Sequence, residues 1–207
     1  MKKFLLVFMC AVLSLSIFSA CSQKEDNGKD IPMEDLEYGA TLSQLVDTEI
    51  EICYDKRFFS EEEMRAVSSY YYAIQTKDKD LFMTTQSESY IKYVEMAANS
   101  DLKVEDFIEN MYNDAAASLG DGFEYVYIET VDYGDRTEDL EIDEIISLMD
   151  EIYEENGKDT TFKETVESAK YAVLNFTAEN NGSQFTLSDQ VVYIFDCIDG
   201  IYIYTAN

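Results

Sequence analysis

No histidine occurs among the 207 residues, so the usual general base, proton shuttle and commonest metal ligand are missing. That absence excludes Ser-His-Asp and Cys-His nucleophile arrangements and most zinc sites. The groups left for chemistry are 43 carboxylates, 16 tyrosines and four cysteines. The densest oxygen cluster, Asp132-Tyr133-Gly134-Asp135-Arg136-Thr137-Glu138-Asp139, could hold calcium, but its Asp and Gly offsets do not fit the helix–loop–helix calcium loop. It reads instead as a solvated strand-to-helix turn whose acids favour the helix N-terminus. Glu61-Glu62-Glu63 has the same reading. Tyr70, Tyr71 and Tyr72 with Tyr125, Tyr127, Tyr171 and Tyr193 suggest an aromatic cavity or a sugar-stacking surface. Helical spacing sends the three consecutive tyrosines in different directions, so core packing with hydroxyls reaching the surface is expected. No catalytic, cofactor-binding or metal-ligating residue is singled out by position, and no cofactor is expected.

Sulfur is more informative. Cys21 closes Phe18-Ser19-Ala20-Cys21, after Lys2-Lys3 and the apolar stretch from Phe4 to Phe18. A short positive region, an apolar core and then small residues are the layout of a secretory signal. The apolar run falls short of the ~20 residues a bilayer core requires. Ser14, Ser16 and Ser19 weaken it further as a span. Ordinary signal cleavage wants a small residue where Phe18 stands, whereas a cysteine directly after Ser-Ala resembles the lipobox of bacterial lipoproteins. That box tolerates an apolar residue in the place of Phe18, although Leu is its usual choice. The resemblance implies a signal peptide over 1–20 and a diacylglyceryl group on Cys21 as the mature N-terminus. The chain would then be lipid-anchored on the extracytoplasmic face of the cell membrane, tethered and not spanning. Cys10 would leave with the signal. Cys53 and Cys197 each sit in a strand-like apolar run, where cysteine acts as a small hydrophobe, so free thiols without a mutual disulfide are expected.

Residues after Cys21 are polar and without apolar periodicity, so 21–47 reads as a tether and 48–207 as one domain. A composition of 46% hydrophobic and 14% aromatic residues supplies ample core. The formal net charge of −28 repels nucleic acid and anionic headgroups, which need basic residues. Because the acids are scattered through every segment, the excess reads as a solvated surface.

Positioning these groups falls to an α+β set of elements. Thr48–Tyr54 alternates apolar and acidic residues and reads as a short strand at a sheet edge. Ser60 with Glu63 is a capping box opening a helix over Glu61–Thr76, with Met64, Val67, Tyr71 and Ile74 inward. Lys77-Asp78-Lys79-Asp80 ends it. Further helices are expected over Glu88–Ala98, Val104–Leu119 (stopped by Gly120 and Gly122) and Leu140–Glu155. Strands are expected over Phe123–Val131, Ser168–Ala178, Gln184–Cys197, with a break near Ser188-Asp189, and Ile201–Thr205. Asn180-Asn181-Gly182 and Asp199-Gly200 are tight hairpin turns. The expected architecture is helices packed on a curved antiparallel sheet.

Two stretches carry a family resemblance. Tyr70-Tyr71-Tyr72-Ala73-Ile74-Gln75-Thr76-Lys77-Asp78 resembles the opening helix of the NTF2-like superfamily, whose aromatic-x-Ala stretch ends at a Lys-Asp turn. Val191–Ile203 is similar to the terminal hairpin of those domains, with Ile201-Tyr202 where Trp-Tyr is common. The resemblance spans about Phe59 to the end and implies a cystatin-like α+β roll. Such domains include enzymes, ligand binders and interaction modules, so fold does not settle function. The leading expectation is a non-catalytic domain for an extracytoplasmic ligand or protein. The alternative is a cone-pocket isomerase or dehydratase with an Asp base and a Tyr donor.

Overall fold

The computed structural model describes residues 37–97, 103–135 and 140–205. In chain order these form β1 (Leu42–Leu45), β2 (Glu51–Asp55), α1 (Glu61–Thr76), α2 (Lys79–Thr84), α3 (Glu88–Ala97), α4 (Val104–Leu119), β3 (Glu124–Asp135), α5 (Leu140–Glu155), α6 (Phe162–Thr165), β4 (Val166–Asn180), β5 (Ser183–Cys197) and β6 (Gly200–Thr205). The class is α+β. One six-stranded sheet runs β1-β2-β3-β4-β5-β6 without closing into a barrel.

Local chemistry explains most boundaries. Ser60 Oγ accepts from the Glu63 N–H while the Glu63 carboxylate accepts from the Ser60 N–H, so two orphan donors at the start of α1 are satisfied reciprocally. Lys77 ends α1 in the left-handed region at φ 56°. The chain does not leave helical structure there, because Asp78 caps the short α2 through the Leu81 N–H. Asn181 and Gly182 both take positive φ, 50° and 77°, as a tight turn matched to strand twist requires. The β4–β5–β6 meander follows.

Four expectations are corrected. The sheet is mixed, because β2 pairs with β3 in parallel, a pairing that needs a long crossover; here helices α1 to α4 supply it. The strand expected at the edge, β2, lies inside the sheet, and β1 forms that edge. Residues 37–47, expected as part of the tether, belong to the described fold. Finally, β5 is unbroken: Ser188 and Asp189 bulge opposite Asn175. Asp189 has φ 58°, and its N–H donates to Asn175 Oδ1 at 3.1 Å.

Strand alternation gives the sheet two buried faces. Ala172, Leu174, Phe176, Val192 and Ile194 pack with Met64, Val67, Tyr71 and Ile74 of α1. Tyr193, Phe195 and Cys197 point the other way, onto Ile142, Ile146, Met149 and Ile152 of α5 and Phe162 of α6. Helix α5 thus covers the second face of the sheet, where Tyr90 and Tyr93 of α3 also pack against its cluster.

Candidate functional site

Carboxylates able to do chemistry must first escape their structural partners. Asp55, at the end of β2, is fully buried and accepts from Thr41 Oγ1 at 2.5 Å, the Gly39 N–H at 2.9 Å and the Arg57 N–H at 3.1 Å. Its Oδ2 also meets Arg57 Nη2 at 2.7 Å. Burial pushes its pKa up, but the hydrogen bonds from Arg57, Thr41 and Gly39 outweigh that and hold the group well below the usual carboxylate range. A carboxylate so satisfied is a clamp on the N-terminal segment, not a base. The clamp continues through Arg57, whose Nη2 donates to Glu37 O at 2.7 Å and whose guanidinium lies over Phe58. Phe58 stacks on Tyr133 and on Tyr38, and the Tyr38 hydroxyl bonds Thr130 Oγ1.

Glu63 is equally committed, to its capping box and to Lys170 Nζ at 2.9 Å. Beside them on β5, the pKa of Asp196 is raised, by burial first and then by Glu63 and Glu167. No tyrosine hydroxyl bonds Asp196 among the described residues.

The space between α1 and the sheet is occupied. Tyr71 packs edge-on to Phe176 at 4.5 Å and to Tyr125 at 6.0 Å between ring centroids. Tyr70 meets Phe82 at 5.6 Å. Burial raises the hydroxyls of Tyr70, Tyr71 and Tyr125, the last to about 12. Carboxylate–tyrosine contacts occur elsewhere: Tyr112 donates to Asp121 Oδ1 at 2.6 Å beside Gly122, and Tyr193 donates to Glu141. Of the other tyrosines singled out from sequence, Tyr72, Tyr127 and Tyr171 are half-buried. The set does not come together as one surface.

Two concavities stand out. One, of about 500 Å³, lies along the outer face of α5 between Leu140, Asp143, Glu144, Ser147, Leu148 and Glu151. The other, of about 380 Å³, lies between α2 and α3 and is lined by Lys79, Met83, Gln86, Glu88, Ile91, Lys92 and Glu95. One lining residue, Gln86, belongs to a buried polar run, Thr85, Gln86, Ser87 and Ser89, whose first two residues cover the free edge of β6. The Ile203 N–H donates to Thr85 O at 3.0 Å, and Gln86 Nε2 donates to Ile203 O at 2.7 Å. Gln86 Oε1 and Ser89 Oγ are left buried without a partner among the described residues. This groove was not legible in the sequence. Its one signal was a run of small polar residues between two helices, which looks like any loop until β6 is seen to need covering.

The oxygen cluster resolves differently from its expected turn. Asp132, Tyr133, Gly134 and Asp135 are residues of β3, paired with β4, while 136–139 lie outside the described residues. No group of three or more Cys, Asp or Glu side chains suited to a metal ion occurs among the described residues. Cys53 and Cys197 are both buried and neither forms a disulfide, and burial pushes the Cys197 thiol up to about 12. Cys21 and the signal segment lie outside the described residues, among which no helix is long and apolar enough to cross a membrane. Comparison with protein families, curated proteins and solved structures finds no match to this chain.

Proposed function

We propose that the chain is an extracytoplasmic lipoprotein, anchored to the cell membrane through acylated Cys21, whose NTF2-like α+β roll binds a ligand or protein without catalysing a reaction. One observation carries the non-catalytic part. The helix–sheet interior, where an enzyme of this fold would place its base and donor, is filled by Tyr70, Tyr71, Phe82, Tyr125 and Phe176, whereas the α2–α3 groove opens to solvent. Support for the roll comes from helices preceding a β4–β5–β6 meander. The parallel β2 and the position of α5 are departures from the expected pattern. The surrounding charge, −28 overall, argues against nucleic acid as partner.

Expression of the native chain and of Cys21→Ala in a bacterial host tests the anchor. Native protein partitions with membranes and carries a thioether-linked diacylglyceryl group by mass spectrometry; the variant loses both. An unchanged membrane fraction for Cys21→Ala overturns the anchor. A second reading, an isomerase or dehydratase using an Asp base and a Tyr donor, draws on Asp196, whose pKa is raised. It requires a tyrosine hydroxyl to reach that carboxylate.

A further inference from the structure

We propose that the outer face of α5 docks a cationic amphipathic helix, an inference that rests on the binding-domain reading and names its partner class. The inner residues Ile142, Ile146, Met149 and Ile152 are committed to the sheet. The opposite side carries Leu140 and Leu148, 81% and 44% exposed. Both line the concavity of about 500 Å³ together with Glu144, Ser147 and Glu151. At about 3.6 residues per turn these five positions share one side of the helix, and the two leucines stand ~12 Å apart along its axis. Lone exposed leucines are ordinary, but apolar side chains gathered on one face and rimmed by charge are the composition of an interaction surface.

Charge selects the occupant. Each of α1, α3 and α4 carries ion pairs: Glu61 with Arg65, Glu88 with Lys92 and Lys158, and Glu105 and Glu109 with Lys79 and Lys77. Helix α5 has no lysine or arginine in its 16 residues. Its Glu144 and Glu151 form no ion pair among the described residues. Glu151 and Glu155, four residues apart on the exposed side, repel each other. Glu154 and Glu155 also sit in the last turn, where the helix dipole disfavours anions. That arrangement costs helix stability, and basic side chains brought by a partner offset the cost. A second copy of this chain, at −28, would set acids against acids, and an anionic bilayer is repelled likewise. A helical partner fits the shape, because the ridges of one helix seat in the grooves of another. Its apolar stripe meets Leu140 and Leu148 while flanking lysines or arginines reach Glu144 and Glu151.

The test is methyl NMR of the full chain in phosphatidylcholine nanodiscs, labelled at leucine, with protein-free discs as reference. The probes are a synthetic Leu/Lys amphipathic helix of about 15 residues, its Leu/Glu counterpart and a Ser/Lys peptide of equal charge. Saturable shifts of the Leu140 and Leu148 methyls are expected with the Leu/Lys helix. The Ser/Lys peptide should bind about tenfold more weakly, and the Leu/Glu helix should not bind. Glu144→Gln combined with Glu151→Gln should weaken the Leu/Lys helix about tenfold without lowering the melting temperature. Glu124→Gln combined with Glu179→Gln removes the same charge from an exposed cross-strand pair and should leave the affinity unchanged. Equal weakening by the two double variants, or no saturable shift at Leu140 and Leu148, overturns the proposal. Saturable shifts confined to leucines elsewhere overturn the α5 face but leave the binding-domain reading standing. If the chain sediments as a dimer that Leu148→Ser dissociates, the face belongs to a second copy and the proposal falls. Cleavage of the peptide, seen by mass spectrometry, removes the non-catalytic reading, whereas shifts at Leu140 and Leu148 still uphold the docking face.

Discussion

Asp55 shows how a single residue can be decisive without doing chemistry. Its carboxylate is buried, its charge is matched by Arg57, and Thr41 and Gly39 fill its remaining acceptor positions. Replacing such a group strands the partner charge in a site with little water. Asp55→Asn should therefore cost about 3–5 kcal/mol, read as a lowered denaturant midpoint with an unchanged slope. The pH dependence follows from the sign of the shift. The folded carboxyl titrates below its unfolded value, which is about 3.9. Its contribution is thus fully present above about pH 5 and is lost as pH falls through the acid range toward the folded pKa. Acid unfolding of the native chain should show this loss, and Asp55→Asn should lack it. An identical acid profile in both proteins would sink the assignment.

At the scale of elements, one glycine permits a close approach between β3 and β4. Gly134 pairs with Tyr171, and a Cβ at Gly134 would lie 2.2 Å from Tyr171 Cε1 and 2.7 Å from its hydroxyl oxygen. The ring cannot simply swing away, because it packs against the α5 side of the sheet. Gly134→Ala should lower stability by about 1–3 kcal/mol through overpacking. In a Tyr171→Ala background the same substitution should cost much less, since the two residues share one contact. Equal costs in both backgrounds would mean that the close approach is not what matters. The same residue was legible in sequence only as part of an acidic turn. Glycine next to acids signals a loop locally, and the need for a missing side chain becomes visible only when the facing strand supplies Tyr171.

For the molecule as a whole, the question is where the folded unit begins. Residues 37–45 supply β1, the Gly39 and Thr41 donors to Asp55, and the Tyr38 ring that stacks on Phe58. A chain starting at Thr48 would expose the edge of β2 and leave Asp55 short of two hydrogen bonds. It should unfold at markedly lower denaturant than one starting at Glu37, by several kcal/mol given the buried charge. Equal stability of the two would show that the strap contributes nothing. The two cores on opposite faces share β4 and β5, so both starts should unfold in a single transition.

The sequence by itself determined the long elements and their inward faces. Helices α1, α4 and α5 carry enough apolar residues at helical spacing to identify themselves, and the capping box at Ser60 marks its own helix start. The β4–β5–β6 meander was legible because Asn181-Gly182 and Asp199-Gly200 encode tight turns locally. The α+β class follows from those two facts. What the tertiary structure decided is whatever depends on partners distant in the chain. The four-residue β1 and the short α2 and α6 are too brief for periodicity to speak. The parallel β2–β3 pair, the side of the sheet taken by α5 and the clamp at Asp55 are set by long-range packing. The α2–α3 groove belongs here too. Gln86 was one polar residue among many, and it acquires a role only because β6 ends the sheet beside it and engages one end of its amide.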